Sequence, residues 1–339
     1  MRDHGIPAIG IVGTGGYLPA EVVSNEAVAE RCGTTPEWIV RKTGIRQRRR
    51  AAPHEATSDL AIRAARSALD SCGLAPDDLG YVVVATSTPD HSQPATAGLV
   101  QHRIGATRAG AFDTNAACSG FVVALVSVAR LLALEPPGAP RYGMVIGADT
   151  YSRVVDPSDR RTAALFGDGA GAVVLGPVRP GRGLVGARMS SRGELGDLIR
   201  VEAGGSRLPA SPSTVADGRH FFRMQGRAVR DFVLDELPAF VRDVLGAHGV
   251  APRDVEHFIP HQANGVMLQE VLMKLNLPRA RTHLTVGEHG NTGSASVPLA
   301  LDDARRGGTF TDGDLLLLTG FGGGMTFGAA LVRWEGGTC

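Results

Sequence analysis

Two stretches of this chain repeat one layout, and the repeat narrows the possible folds more than any other feature. In the first half, YVVVATST (Tyr81 to Thr88) reads as a buried strand. AFDTNAACSGF (Ala111 to Phe121) reads as strand, turn and helix start, and RYGMVIGADT (Arg141 to Thr150) as a second buried strand. The series returns as HFIPHQAN (His257 to Asn264), THLTVGEHGNTGSASVPLALDDA (Thr282 to Ala304) and DLLLLTGFGGG (Asp314 to Gly324). Positions 118 and 147 lie 29 apart, as do 291 and 320, so Cys118 pairs with Asn291 and Gly147 with Gly320. Each half closes on a Gly/Ala/Val strand, GDGAGAVVLG (Gly167 to Gly176) and MTFGAALVRW (Met325 to Trp334). The spacing predicts a duplicated α/β unit with halves 1–178 and 179–339, divided within GPVRPGRG.

The repeat places a thiol. Ser119 to Leu134 is apolar on nearly every face, which suits a helix buried between layers, with Cys118 at its N-terminal end. A helix N-terminus favours negative charge and is expected to lower a thiol pKa there. Taken alone, Cys118 reads as a small buried hydrophobe, as most free cysteines do. His261 in IPHQAN directly follows an apolar run, where a strand leaves the core, and Asn291 in EHGNTG occupies the place that Cys118 has in the first half. Alone, His261 suits a hydrogen-bonded core histidine and Asn291 a turn or cap. Together, thiol, imidazole and amide at equivalent chain ends make a nucleophile with electrostatic helpers. The glycines of FGGGMTFG (Phe321 to Gly328) supply backbone N–H groups for an oxyanion hole with the amide of Cys118.

Composition removes other classes. Lys and Arg total 35 against 34 Asp and Glu, which argues against a coat for nucleic acid or an anionic membrane. Apolar stretches such as Leu315 to Leu318 are core-strand length, and MRDHGIPAIGIVG lacks the pattern of a signal peptide, so no membrane segment is expected. Four cysteines, Cys32, Cys72, Cys118 and Cys339, show no ligand spacing, which predicts no metal and fits reduced thiols in a cytoplasmic protein. GIVGTGGYLP (Gly10 to Pro19) is glycine-rich but lacks the GxGxxG spacing of a dinucleotide site. RKTGIRQRRR (Arg41 to Arg50) reads as a solvated face or, beside Trp38, as a phosphate contact.

DTNAACSGF, DPSDRRTAALFGDGAGAVVL, IPHQAN, HGNTGSASVP, FGGGMTFGAAL and TPEWIVRKTGIRQR together resemble the signature segments of the β-ketoacyl-acyl carrier protein synthase III family, within the thiolase superfamily. The likeness runs from about Ile9 to Trp334. It implies a thiolase-like fold, two α/β halves forming a layered αβαβα core, and a homodimer without cofactor beyond its coenzyme A thioester substrates. It puts Cys118, His261 and Asn291 on the catalytic triad, with the N–H groups of Cys118 and Gly323 as oxyanion donors. By the same resemblance Trp38, Lys42, Arg160 and Asn264 bind coenzyme A and its pantetheine arm, and Gln93 and Phe321 shape the acyl pocket.

Several positions depart from the family pattern. Lys42 stands where an arginine is common, and Asp231 and Val266 where basic residues receive an acyl carrier protein, although Arg230 and Lys274 lie close by. Polar Gln93 replaces an apolar or aromatic residue in a loop that closes the partner's pocket, which suggests a primer other than plain acetyl. The expected activity is acyl transfer from acyl-CoA to Cys118, then decarboxylative condensation with a malonyl thioester. Fatty acid synthesis would use this chemistry, and the departures favour a specialised polyketide-type pathway. The alternatives are an acyltransferase that passes the acyl group to an alcohol or amine, and a non-catalytic partner subunit. Intact Asn291 favours condensation over the first, and the intact trio argues against the second.

Overall fold

The computed structural model describes residues 7–136 and 138–336; the first six residues and Cys339 lie outside the described residues. The larger of its sheets are two five-stranded ones. The first is built from β1 (Ile9–Tyr17), β2 (Leu79–Ala85), β3 (Gly110–Thr114), β4 (Tyr142–Asp149) and β5 (Gly169–Pro177), in the order β1-β5-β4-β2-β3. The second comes from β6 (Gly183–Ser191), β7 (His257–Pro260), β8 (Arg281–Thr282), β9 (Leu315–Gly322) and β10 (Thr326–Arg333), in the order β6-β10-β9-β7-β8. The two orders are the same, and so are the strand senses: β4, β2 and β3 run parallel, as do β9, β7 and β8, while the other pairs are antiparallel.

The apolar runs become central strands because both faces of each sheet are covered. In β4, Val145 faces the middle of the molecule while Met144 and Ile146 face outward; in β9, Leu316 and Leu318 face the middle and Leu315 and Leu317 outward. Helices occupy three layers. α1 (Pro36–Thr43) belongs to the N-terminal segment, and α2 (Thr57–Asp70) covers the outer face of the first sheet. α3 (Gly120–Leu134) lies between the sheets, α4 (Gly226–Ala247) and α5 (Gly265–Leu275) cover the second sheet, and α6 (Ser296–Arg306) joins α3 in the middle. This is a layered αβαβα arrangement.

Two sequence expectations change here. Ala117–Leu134 is long and apolar enough to cross a membrane by composition, longer than the core-strand runs noted above; 56% of it is buried in the protein, where α3 meets both sheets. The basic run is not a uniform solvated face. Arg48 is buried and donates to Asn25 Oδ1 (2.7 Å) and the Ala164 carbonyl (2.8 Å), tying the N-terminal segment to the centre.

Gly147 and Gly320, equivalent by sequence spacing, are each a point of close approach to a distant segment of the chain. A Cβ on Gly147 would fall 2.3 Å from the Ser294 carbonyl oxygen, and one on Gly320 would fall 2.7 Å from Ser119 Cα. Ser119 follows Cys118 and Ser294 comes three residues after Asn291, so each glycine lets the other half's site segment sit against the sheet. Larger side chains there would push the two site segments away from the sheets.

Candidate active site

Cys118 lies on the turn between β3 and α3, after Ala117 with φ of 47°. On its other side is the end of β9, where a Cβ on Gly322 would sit 3.0 Å from the Cys118 nitrogen. His261 immediately follows β7, is 1% exposed, and donates its backbone N–H to Thr319 O (2.7 Å). Its ring meets Phe321 edge-on at 5.1 Å, and its Nδ1 lies 2.6 Å from Ser296 Oγ. Asn291 is pinned by backbone bonds to Leu165 (2.8 Å) and Gly167 (3.0 Å), and its Oδ1 accepts the Gly293 N–H (2.9 Å). With that oxygen engaged, the amide NH2 is the group left to act as donor. Cys118, His261 and Asn291 all line one cavity of about 1010 Å³, a volume suited to a cofactor-sized thioester.

The electrostatics reverse one sequence expectation. Burial, then the charge of Asp149, pushes the Cys118 thiol up to about 12, where the helix end was expected to lower it; the Tyr151 hydroxyl and the local backbone act in the opposite sense. The helix starts at Gly120, two residues on, whereas desolvation acts on the sulfur itself. Asp149 ends β4 and accepts from Ser294 N and Oγ (both 2.7 Å) and from Ser87 N (2.8 Å), which stitches the two halves together behind the thiol. Burial holds His261 down at about 3, so its imidazole is neutral near pH 7.

A pH experiment follows. Only the thiolate is alkylated, and below its pKa the thiolate fraction rises tenfold per pH unit. Labelling of Cys118 by iodoacetamide is therefore expected to climb about tenfold per unit from pH 7 to pH 10 without levelling. A plateau near pH 8 to 9, read by peptide mass spectrometry, would overturn the elevated value.

Toward the mouth, the Arg160 guanidinium lies over the Trp38 ring at 5.5 Å, and exposed Lys42 lies on the same cavity wall. Asn264 also lines the cavity, but both ends of its amide are engaged: Oδ1 caps α5 through Met267 N (3.0 Å) and Nδ2 donates to Lys42 O (3.0 Å). Gly323 and Phe321 line the inner wall. Gln93 is exposed and is not part of this chain's cavity lining. The wall that sequence reading missed is aromatic. Tyr151 stacks on Phe166 at 4.3 Å and meets Phe222 edge-on at 5.7 Å, and all three line the cavity with Cys118. Their sequence signal is weak, since each reads as an ordinary core aromatic. Among the described residues no group of three or more His, Cys, Asp or Glu side chains is placed to hold a metal ion.

Comparison with known proteins gives a consistent result. Residues 112–193 match the family model of 3-oxoacyl-[acyl-carrier-protein (ACP)] synthase III, and residues 245–334 match the model of its C-terminal part. The chain is 52% identical to the acetoacetyl CoA synthase NphT7 of Streptomyces sp. (strain CL190), over 96% of this chain and 98% of that one. It is 45% identical to the beta-ketoacyl-[acyl-carrier-protein] synthase III of Rhodospirillum centenum, over 96% and 98%. Among solved structures, 3-oxoacyl-(acyl carrier protein) synthase III from Pseudomonas aeruginosa PAO1 superposes with a TM-score of 0.87 at 40% identity, covering 97% of this chain and 99% of that one.

Proposed function

The chain belongs to the 3-oxoacyl-[acyl-carrier-protein] synthase III family, a family of condensing acyltransferases, and from that premise we propose that Cys118 is its nucleophile and His261 and Asn291 its decarboxylation donors. The observation that carries this is one cavity where a thiol meets an imidazole and an amide, with Asn291 Oδ1 already bonded so that its NH2 is the free end. In loading, the sulfur of Cys118 attacks the acyl-CoA carbonyl carbon and the N–H groups of Cys118 and Gly323 receive the oxyanion. The carbon–sulfur bond to coenzyme A then breaks. The proton lost by Cys118 ends on the departing coenzyme A sulfur, which matches a resting thiol held protonated.

In condensation, the carboxylate–carbon bond of a malonyl thioester breaks and its electron pair forms an enolate whose oxygen accepts from His261 and Asn291. The enolate carbon attacks the acyl carbon, the acyl–sulfur bond breaks, and the Cys118 thiolate takes a proton from water. Trp38, Lys42 and Arg160 are assigned to the nucleotide end of coenzyme A, as cationic and aromatic groups lining the cavity. Asn264 is assigned to positioning the mouth, since its amide ties α5 to Lys42.

The substrates are assigned as acetyl-CoA and malonyl-CoA, giving acetoacetyl-CoA, the product in the name of the Streptomyces relative. Two features support this. The Tyr151, Phe166 and Phe222 wall favours a short primer. Arg230 is ion-paired with Glu270 and Asp231, and Lys274 lies 3.7 Å from Asp235, so the basic groups that a carrier protein would need are already engaged. A homodimer fits the exposed edge strand β3, with Phe112 38% exposed. The free thiols of Cys32 and Cys118 suit a cytoplasmic enzyme. We divide the chain at the 178–182 link between β5 and β6, with the nucleophile in the first half and His261 and Asn291 in the second.

With acetyl-CoA as primer, malonyl-CoA is expected to release carbon dioxide and yield acetoacetyl-CoA at least about tenfold faster than malonyl-carrier protein, a difference of ~1.4 kcal/mol. Faster turnover of the carrier-borne extender overturns the substrate assignment. Acylation of an added alcohol or amine without carbon dioxide release replaces condensation by simple acyl transfer.

A further inference from the structure

Ser296 opens α6 and is not itself part of the cavity lining, yet its side chain bonds Nδ1 of His261, which is. Its Oγ lies 2.6 Å from His261 Nδ1, and Ser296 and His261 are each 1% exposed. The same oxygen accepts the backbone N–H of Gln262 at 3.2 Å. These contacts suit one placement of the protons. A hydroxyl has one proton to give; here its oxygen is already an acceptor for Gln262, and the imidazole is the partner placed to receive that proton.

We propose that Ser296 is a positioning residue that donates to His261 Nδ1 and so keeps the imidazole proton on Nε2, the nitrogen left for the substrate. A neutral imidazole is a donor at one nitrogen and an acceptor at the other, so the partner of Nδ1 sets the chemistry of Nε2. With Ser296 donating, Nε2–H is a hydrogen-bond donor to the enolate oxygen. With Nδ1 protonated instead, Nε2 would present a lone pair to that oxygen and oppose decarboxylation. Because burial keeps His261 from taking a second proton near pH 7, tautomer choice is the means left for holding a donor at Nε2. The backbone reinforces it: His261 N–H is fixed on Thr319 O at 2.7 Å, and Phe321 meets the ring edge-on, so the imidazole has one orientation.

The role in catalysis rests on the condensing reading, and the test separates the two. Protein labelled with 15N-histidine reports tautomers directly; with ten histidines in the chain, the His261 signals are assigned by their loss in His261→Ala. The wild type is expected to show a pyrrole-like Nε2 and a pyridine-like Nδ1. Ser296→Ala is expected to bring up Nδ1–H signal and lower carbon dioxide release from malonyl-CoA about 10- to 100-fold. Acylation of Cys118 in the same sample should change less than about threefold, since it uses backbone donors. Ser296→Thr, which keeps the hydroxyl, should restore both tautomer and rate. An Nδ1–H tautomer in the wild type overturns the proposal even if Ser296→Ala fails to fold, and so does a folded Ser296→Ala that keeps wild-type tautomer and carbon dioxide release. A wild-type enzyme that releases no carbon dioxide would instead sink the condensing reading, with the tautomer result still deciding what Ser296 does to the ring.

Discussion

Cys118→Ala is expected to fold but to form no acyl-enzyme adduct with acetyl-CoA by intact-protein mass spectrometry, and its condensation rate to fall by roughly 10⁴-fold or more. The size of the effect follows from the covalent route. Without the sulfur there is no acyl group to hold beside the enolate, and the bound malonyl unit has no electrophile. Among the described residues the other thiols, Cys32 and Cys72, stand outside the cavity lining. Cys32 is buried in the N-terminal cluster with its sulfur on Val28 O, and Cys72 is buried under the outer helix α2 with its sulfur on Ala68 O. Cys32→Ala, Cys72→Ala and Cys339→Ala are each expected to acylate stoichiometrically. Because alanine removes one atom from a site 8% exposed, the stability cost should be about 1 kcal/mol, and a small change in Tm separates lost chemistry from lost fold. An adduct of full stoichiometry on Cys118→Ala would overturn the assignment.

The parts of this protein that could be read from its sequence are those governed by local periodicity and spacing. Strands buried on both faces must be apolar at successive positions, so β2, β4 and β9 stood out as runs, and the shared 29-residue interval carried the equivalence of Cys118 with Asn291. Gly147 and Gly320 explain why that interval is informative: each is a point of close approach to the other half's site segment. What could not be read depends on groups far apart in the chain. Tyr151, Phe166 and Phe222 become one wall only after β4, the segment before β5 and the strand ahead of α4 converge. The thiol's elevated pKa had the same origin. A helix N-terminus is visible locally, but the burial of Cys118 and the approach of Asp149 are tertiary facts, and they outweigh it. Ser296 was hidden by abundance, as one of several small residues in GNTGSASVP, until its hydroxyl was found on His261.

Asn291→Ala is expected to load Cys118 normally and to lose decarboxylation of malonyl-CoA by about 100-fold or more, the usual cost of deleting one oxyanion donor. The two half-reactions part because they place negative charge on different oxygens. In the proposed mechanism, loading develops an oxyanion next to Cys118, where backbone N–H groups would receive it, and decarboxylation develops one on the malonyl carbonyl, which the Asn291 amide and His261 would receive. Charge appears on that second oxygen only as carbon dioxide leaves, so a donor aimed there lowers the barrier without tightening substrate binding, and kcat should fall with little change in KM. Alanine also removes the acceptor of the Gly293 N–H, leaving a buried donor unpaired at a cost of about 1–3 kcal/mol. Asn291→Asp separates the two roles. It keeps an oxygen for Gly293 while removing the NH2 donor, so it should hold the loop and still lose carbon dioxide release. The measurements are labelled carbon dioxide from malonyl-CoA and acyl-enzyme mass on the same samples, with Tm for each variant. If Asn291→Asp retains decarboxylation within a few-fold of wild type, Asn291 serves the loop and His261 carries the enolate alone.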